Sequence, residues 1–104
     1  MSNYNNEISE KPISETIDRT KEPSMYKVIL HNDDYTTMEF VVNVLMTIFH
    51  KSYVEAEHIM MKVHKEGYGI CGIYTYEIAE TKVNEVHAVS RKHEFPLKCS
   101  FEKV

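Results

Sequence analysis

Apolar side chains are scattered through the first two dozen residues and become periodic from Met25 onward. Met25 to Leu30, rich in Val, Ile and Tyr, predicts a strand. The polar stretch His31-Asn32-Asp33-Asp34-Tyr35 interrupts it. Thr36-Thr37-Met38-Glu39 then fits a capping box, with Thr36 as the cap and Glu39 three residues on. Behind it Val41, Val44, Leu45, Ile48 and Phe49 recur at the spacing of one helical face. A second capping box, Ser52 to Glu55, opens a helix through Ala56, Ile59, Met60, Val63 and His64, and Gly67 is placed for a left-handed C-terminal cap.

Gly69 to Tyr74 predicts a second strand whose glycines permit close backbone approach. Thr75 is placed to cap a third helix carrying Ile78, Ala79, Val83, Val86 and Val89. After Pro96, Leu97 to Glu102 alternates strictly and predicts a half-buried strand. The order is β-α-α-β-α-β. It implies an α+β fold, a two-layer sandwich of a three-stranded antiparallel sheet packed against three helices on one face.

The change at Met25 also divides the chain. Residues 1–24 are rich in Ser, Asn, Glu and Lys, with Pro12 and Pro23, and bury too little apolar area to offset ordering entropy. They are expected to form a flexible N-terminal extension, and residues 25–104 a single core domain. A formal net charge of −4 argues against a nucleic-acid partner, which would call for a basic face. Cys71 and Cys99 form no C-x-x-C pair and lie in β-like runs, the pattern of buried thiols in a reducing, cytoplasmic setting. Nothing at the start resembles a signal peptide, and the longest apolar run, Phe40 to Phe49, is broken by Asn43 and too short to span a membrane.

Chemistry concentrates at Asn32-Asp33-Asp34. Asn and Asp favour turns by bonding nearby backbone, and carboxylates ahead of a helix complement its dipole. The same turn can also hold side chains outward as ligands. The histidines stand at 31, 50, 58, 64, 87 and 93, with no pair at the i, i+4 spacing of a zinc-binding helix. Neither cysteine has a visible activating neighbour, and there is no phosphate-cradling glycine loop. No catalytic group, metal or cofactor is expected. Met60 and His64 lie one helical turn apart with Val63 beside them, which fits core packing or the rim of an adaptable pocket, while Met61 reads as core filling.

Taken together, Tyr26 to Leu30, Asn32-Asp33-Asp34-Tyr35-Thr36, Met38 to Val41, Met60 to His64, Ile70-Cys71-Gly72, Ala79 to Val83 and Pro96-Leu97 resemble ClpS. That family of bacterial adaptors hands N-degron substrates to the Clp protease. The resemblance runs over residues 24–104 and implies an α/β sandwich behind a flexible tail. It also implies a monomeric, non-enzymatic protein that binds N-degron peptides and proteins beginning with Leu, Phe, Tyr or Trp. Its partner would be the N-terminal domain of the unfoldase ClpA, or ClpC, with no nucleic acid and no membrane involved.

By the resemblance, Asn32, Asp34 and His64 bind the free α-amino group, and Asp33 and Thr36 help hold the peptide backbone. Met38, Val41, Met60, Val63 and Leu97 line the pocket for the first side chain, with Met38 as a gate. Glu77 and Lys82 face the unfoldase. Thr37 departs from the family's usual Pro at what would be the first helical position, which implies a slightly looser loop. His31 is apolar in many relatives. An α-ammonium presents three donors and one charge, which an amide oxygen, a carboxylate and a neutral imidazole can meet. Two rivals remain at this point: a ribosomal-stalk-like interaction domain, which needs no such trio, and a small metal-dependent hydrolase.

Overall fold

A computed structural model of the chain describes residues 22–104. The expected extension lies, up to residue 21, outside the described residues. Three strands and three helices follow one another as β1 (Met25–His31), α1 (Met38–Thr47), α2 (Tyr53–Glu66), β2 (Tyr68–Thr75), α3 (Tyr76–Lys92) and β3 (Lys98–Lys103). The sheet is antiparallel with order β2-β1-β3, so β1 is the central strand.

Period-two alternation sends Val28 and Leu30 of β1 towards the helices, where both are fully buried. They meet Val44 and Leu45 of α1, Ala56 and Val63 of α2, and Ala79 and Val86 of α3 in one core. Ile29, on the other face, is covered between its register partners Ile70 and Ser100. A bulge between Val28 and Ile29 shifts the register against β2, where Gly72 pairs with Val28 and Ile70 with Ile29.

The predicted elements are all present, and four local expectations change. Helix α1 starts one residue later than expected. Thr37, extended at φ −74°, is its cap, and the Thr37 hydroxyl oxygen accepts from the Phe40 N–H at 3.1 Å. Thr36 is therefore no cap, and Glu39 closes no box with it. At the far end α1 stops at Thr47 although its apolar stripe runs on. Ile48 and Phe49 still pack on the core, while His50 turns left-handed at φ 57°. In α3 the buried face is Ala79, Val83, Val86 and Ser90, and Ile78 is 49% exposed. Thr75 sits at the cap position of α3 but makes no side-chain cap bond.

The second capping box forms as read, with Ser52 and Glu55 bonded reciprocally at 3.2 and 3.3 Å. Gly67 ends α2 at φ 95°, where a side chain would be strained. Gly69 allows β2 to lie close on α2, since a Cβ there would come within 2.8 Å of Val63 Cγ2. The edge strand β3 is tied to α3 by the Cys99 N–H, which donates to His87 Nε2 at 3.0 Å.

Candidate functional site

The turn after β1 is built by Asp33. One carboxylate oxygen accepts from the Tyr35 and Thr36 N–H groups at 2.8 and 2.7 Å, and the other from the Thr36 hydroxyl at 2.7 Å. Burial alone would raise this carboxyl's pKa, but the bonds from Thr36 and Tyr35 outweigh it and hold the group below its ordinary value. Asp33 and Thr36 thus spend their strongest interactions on each other. The hydrogen bonds at this turn among the described residues use neither the Asn32 side chain, the Asp34 carboxylate nor the His64 ring.

A second link decides where the turn sits. The Asn32 N–H donates to the Gly67 carbonyl at 2.9 Å, pinning the turn to the end of α2. His64 is on that helix's last turn. The turn that carries Asn32 and Asp34 is thereby brought beside His64, which is distant in sequence, and all three line one space.

That space is a cavity of about 240 Å³. Asn32, Asp33, Asp34, Thr36 and His64 give it a polar lining, and Met38, Val41, Met60 and Val63 an apolar one. Val41, Met60 and Val63 are buried, whereas Met38 is 44% exposed at the first position of α1. The volume is below the roughly 300–1,000 Å³ of drug-sized sites and suits one side chain. Of the residues predicted for substrate, only Leu97 does not line this cavity. It lies in the core at 4% exposure.

Glu77 and Lys82 are both on α3, away from the cavity lining. Glu77 is exposed in the first turn. Lys82 is partly buried, and its ammonium donates to the Ile48 carbonyl at 2.7 Å, neutralising the C-terminal end of α1. No signal in the sequence reveals that bond, since the partners are 34 residues apart. Thr37 is the other local surprise. It supplies a cap bond that a proline could not.

The other candidates lie elsewhere. His31 Nε2 is 2.7 Å from Ser100 Oγ, on the sheet face away from the helices, and burial followed by Lys98 lowers its pKa against the opposing Glu102. Met61 is half-buried against the core. Burial pushes both thiols up, Cys99 to about 12 and Cys71 further, so neither is a thiolate near neutral pH. Among the described residues no three His, Cys, Asp or Glu side chains converge as a metal site. No helix among them is long and apolar enough to cross a membrane.

Residues 21–100 match the family model described as ATP-dependent Clp protease adaptor protein ClpS. The chain is similar to the ATP-dependent Clp protease adapter protein ClpS of Syntrophus aciditrophicus, 58% identical over 87 residues, which cover 84% of this chain and 81% of the relative. The protein of the same description from Desulforapulum autotrophicum is 62% identical over 81 residues, 78% of each chain. Among solved structures it is similar to Agrobacterium tumefaciens ClpS2 bound to L-phenylalaninamide. The TM-score is 0.78 at 37% identity, covering 80% of this chain and 100% of that one.

Proposed function

This chain belongs to the ClpS family of ATP-dependent Clp protease adaptor proteins, and from that premise we propose that its cavity receives the first residue of N-degron substrates. The substrates are proteins with a free N-terminus and Leu, Phe, Tyr or Trp in first place. The adaptor delivers them, as a cytoplasmic monomer, to the N-terminal domain of the Clp unfoldase, ClpA or ClpC.

One observation carries this reading. A single cavity is lined both by the acceptors Asn32, Asp34 and His64 and by the apolar side chains Val41, Met60 and Val63. A protonated α-amine needs acceptors, and a side chain one carbon away needs an apolar hole. Hydrogen bonds to a charged group contribute roughly 1.5–3 kcal/mol, and burial of a Leu or Phe side chain roughly 1.5–3 kcal/mol. Neither alone outweighs the entropy lost on association, so the site demands both features together. The ligand of the Agrobacterium relative, an aromatic amino acid with a free amine and an amide in place of its carboxylate, has both.

In this reading Asp33 and Thr36 hold the turn that presents Asn32 and Asp34 to the amine. Met38, exposed at the cavity mouth, screens the space next to the anchored amine, where Val and Ile carry their bulk. Leu97 supports the walls from the core. Glu77, exposed on α3, contacts the unfoldase, and Lys82 contacts it while holding α1.

The deciding measurement is a titration of a fluorescent peptide beginning with Phe against the same peptide N-acetylated. Acetylation should abolish binding, because it removes the charge and two donors. Equal binding of the two, or binding of neither, overturns the proposal.

A further inference from the structure

A second groove adjoins the amine cavity. It lies between α1 and α2, encloses about 400 Å³, and shares Met38 and Met60 with the cavity as a common wall. Val42 and Met46 complete its apolar surface, and Met46 is 39% exposed. Met38 and Met46, both exposed on α1, form an adaptable surface, able to fit side chains of varied shape. The rim is acidic. Glu39 of α1 and Glu57 of α2 both line the groove, and the Tyr53 hydroxyl donates to Glu57 at 3.2 Å, orienting its carboxylate.

We infer that this groove is the subsite for the third residue of a bound N-degron and that it favours Lys or Arg there. The inference rests on the amine cavity receiving the first residue. An extended peptide advances roughly 3.3 Å per residue and points alternate side chains to opposite sides. The second side chain therefore leaves the surface on which the first is held. The third returns to that side roughly 6.6 Å further along, beyond the wall that Met38 and Met60 share. A long side chain can lay its methylenes on Met46 and Val42 while its cationic head reaches Glu39 or Glu57 at the rim. An acidic side chain there meets two like charges.

The test uses full-length protein and fluorescent peptides beginning Phe-Ala-Arg, Phe-Ala-Ala, Phe-Ala-Glu and Phe-Arg-Ala. Phe-Ala-Arg should bind roughly two- to fivefold tighter than Phe-Ala-Ala, the size of an exposed ion pair, and Phe-Ala-Glu weakest. Glu57→Gln should collapse the Arg-over-Ala ratio at position three towards one. Glu85→Gln, which removes the same charge from an exposed site on α3, should leave that ratio intact. A ratio near one in the wild type overturns the groove, as does a ratio equally sensitive to both substitutions. An equal gain from Arg at position two, equally lost in Glu57→Gln, also overturns it, because the effect would then be the general acidity of the surface. If Phe-Ala-Ala itself does not bind, the amine cavity fails and the groove with it. Binding of Phe-Ala-Ala without a third-residue preference sinks the groove alone.

Discussion

The two ends of helix α1 differ in how far along the chain their closing bonds reach. At its N-terminus Asp33, Thr36, Thr37 and Phe40 satisfy one another within one short stretch. At its C-terminus the Lys51 N–H still closes locally on the Leu45 carbonyl, but the Ile48 carbonyl is met by Lys82, 34 residues further on. The first end is a local motif, able to form wherever those residues occur. The Lys82 bond exists only once α3 has docked. The difference separates shaping from placing. Local bonds give the turn its form, while long-range bonds, including that from Asn32 to Gly67, decide what it faces.

The sharpest way to break this contrast is to substitute the two adjacent carboxylates. Asp33→Ala removes an acceptor of three hydrogen bonds and should cost roughly 2 kcal/mol of stability, discounted for partial exposure. Peptide affinity should fall with it. Asp34→Ala, at an exposed position, should change stability by less than about 0.5 kcal/mol yet lower affinity for a Phe peptide about tenfold. Denaturant titration beside peptide titration separates the two. Equal stability losses would erase the distinction between the carboxylate that builds and the one that binds.

Lys82→Met tests the distant end. It keeps the apolar stem, loses the bond to Ile48, and should cost about 1 kcal/mol by chemical denaturation. Affinity for a Phe peptide should stay within about twofold, since Lys82 is not among the cavity's lining residues. A tenfold loss would show that the C-terminal end of α1 also sets the geometry at its N-terminal end.

Acid gives a smaller effect with a defined sign. Asp33 has a folded pKa below its ordinary value of 3.8, so the unfolded chain takes up the proton first as pH falls. Its contribution is complete above 3.8 and is lost as pH drops through the folded value. The stability gap between the wild type and Asp33→Asn should therefore narrow below that pH. A gap constant from neutrality down to pH 3 would mean that the carboxylate's charge contributes nothing to the turn.

The smallest effect expected is for Thr37→Pro. The φ of −74° at this position suits a proline. The loss of the cap acceptor, about 1 kcal/mol, is offset by about 0.4–1 kcal/mol from a stiffer unfolded chain. Thermal unfolding should shift little, whereas Thr37→Ala should lose the whole cap contribution. If proline cost as much as alanine, stiffening would be irrelevant at this turn.

Much of the fold was legible because it is periodic or punctuated. The Val-, Ile- and Tyr-rich run of β1, the Ser52–Glu55 box and the Gly67 stop each depend on neighbours a few residues away, and each formed as the residues imply. The misreading at Thr36 arose because two adjacent threonines offer the same chemistry. The choice between them was made by Asp33, which occupies the Thr36 hydroxyl and leaves Thr37 to cap. The exposure of Ile78 and the burial of Ser90 have a different origin, since they depend on how α3 is rotated against the sheet.

The sequence by itself determined which residues carry the chemistry: an amide and two carboxylates after a strand, and a histidine closing an apolar helical stripe. It determined the order of elements, because hydrogen-bonding periodicity is written into neighbouring side chains. Only the tertiary structure decided that Asn32, Asp34 and His64 share one cavity, that Leu97 lies in the core and outside the cavity lining, and that Lys82 is bonded to α1. The reason is distance along the chain. Such contacts join separated segments, and they form only after packing has offset the entropy of bringing those segments together.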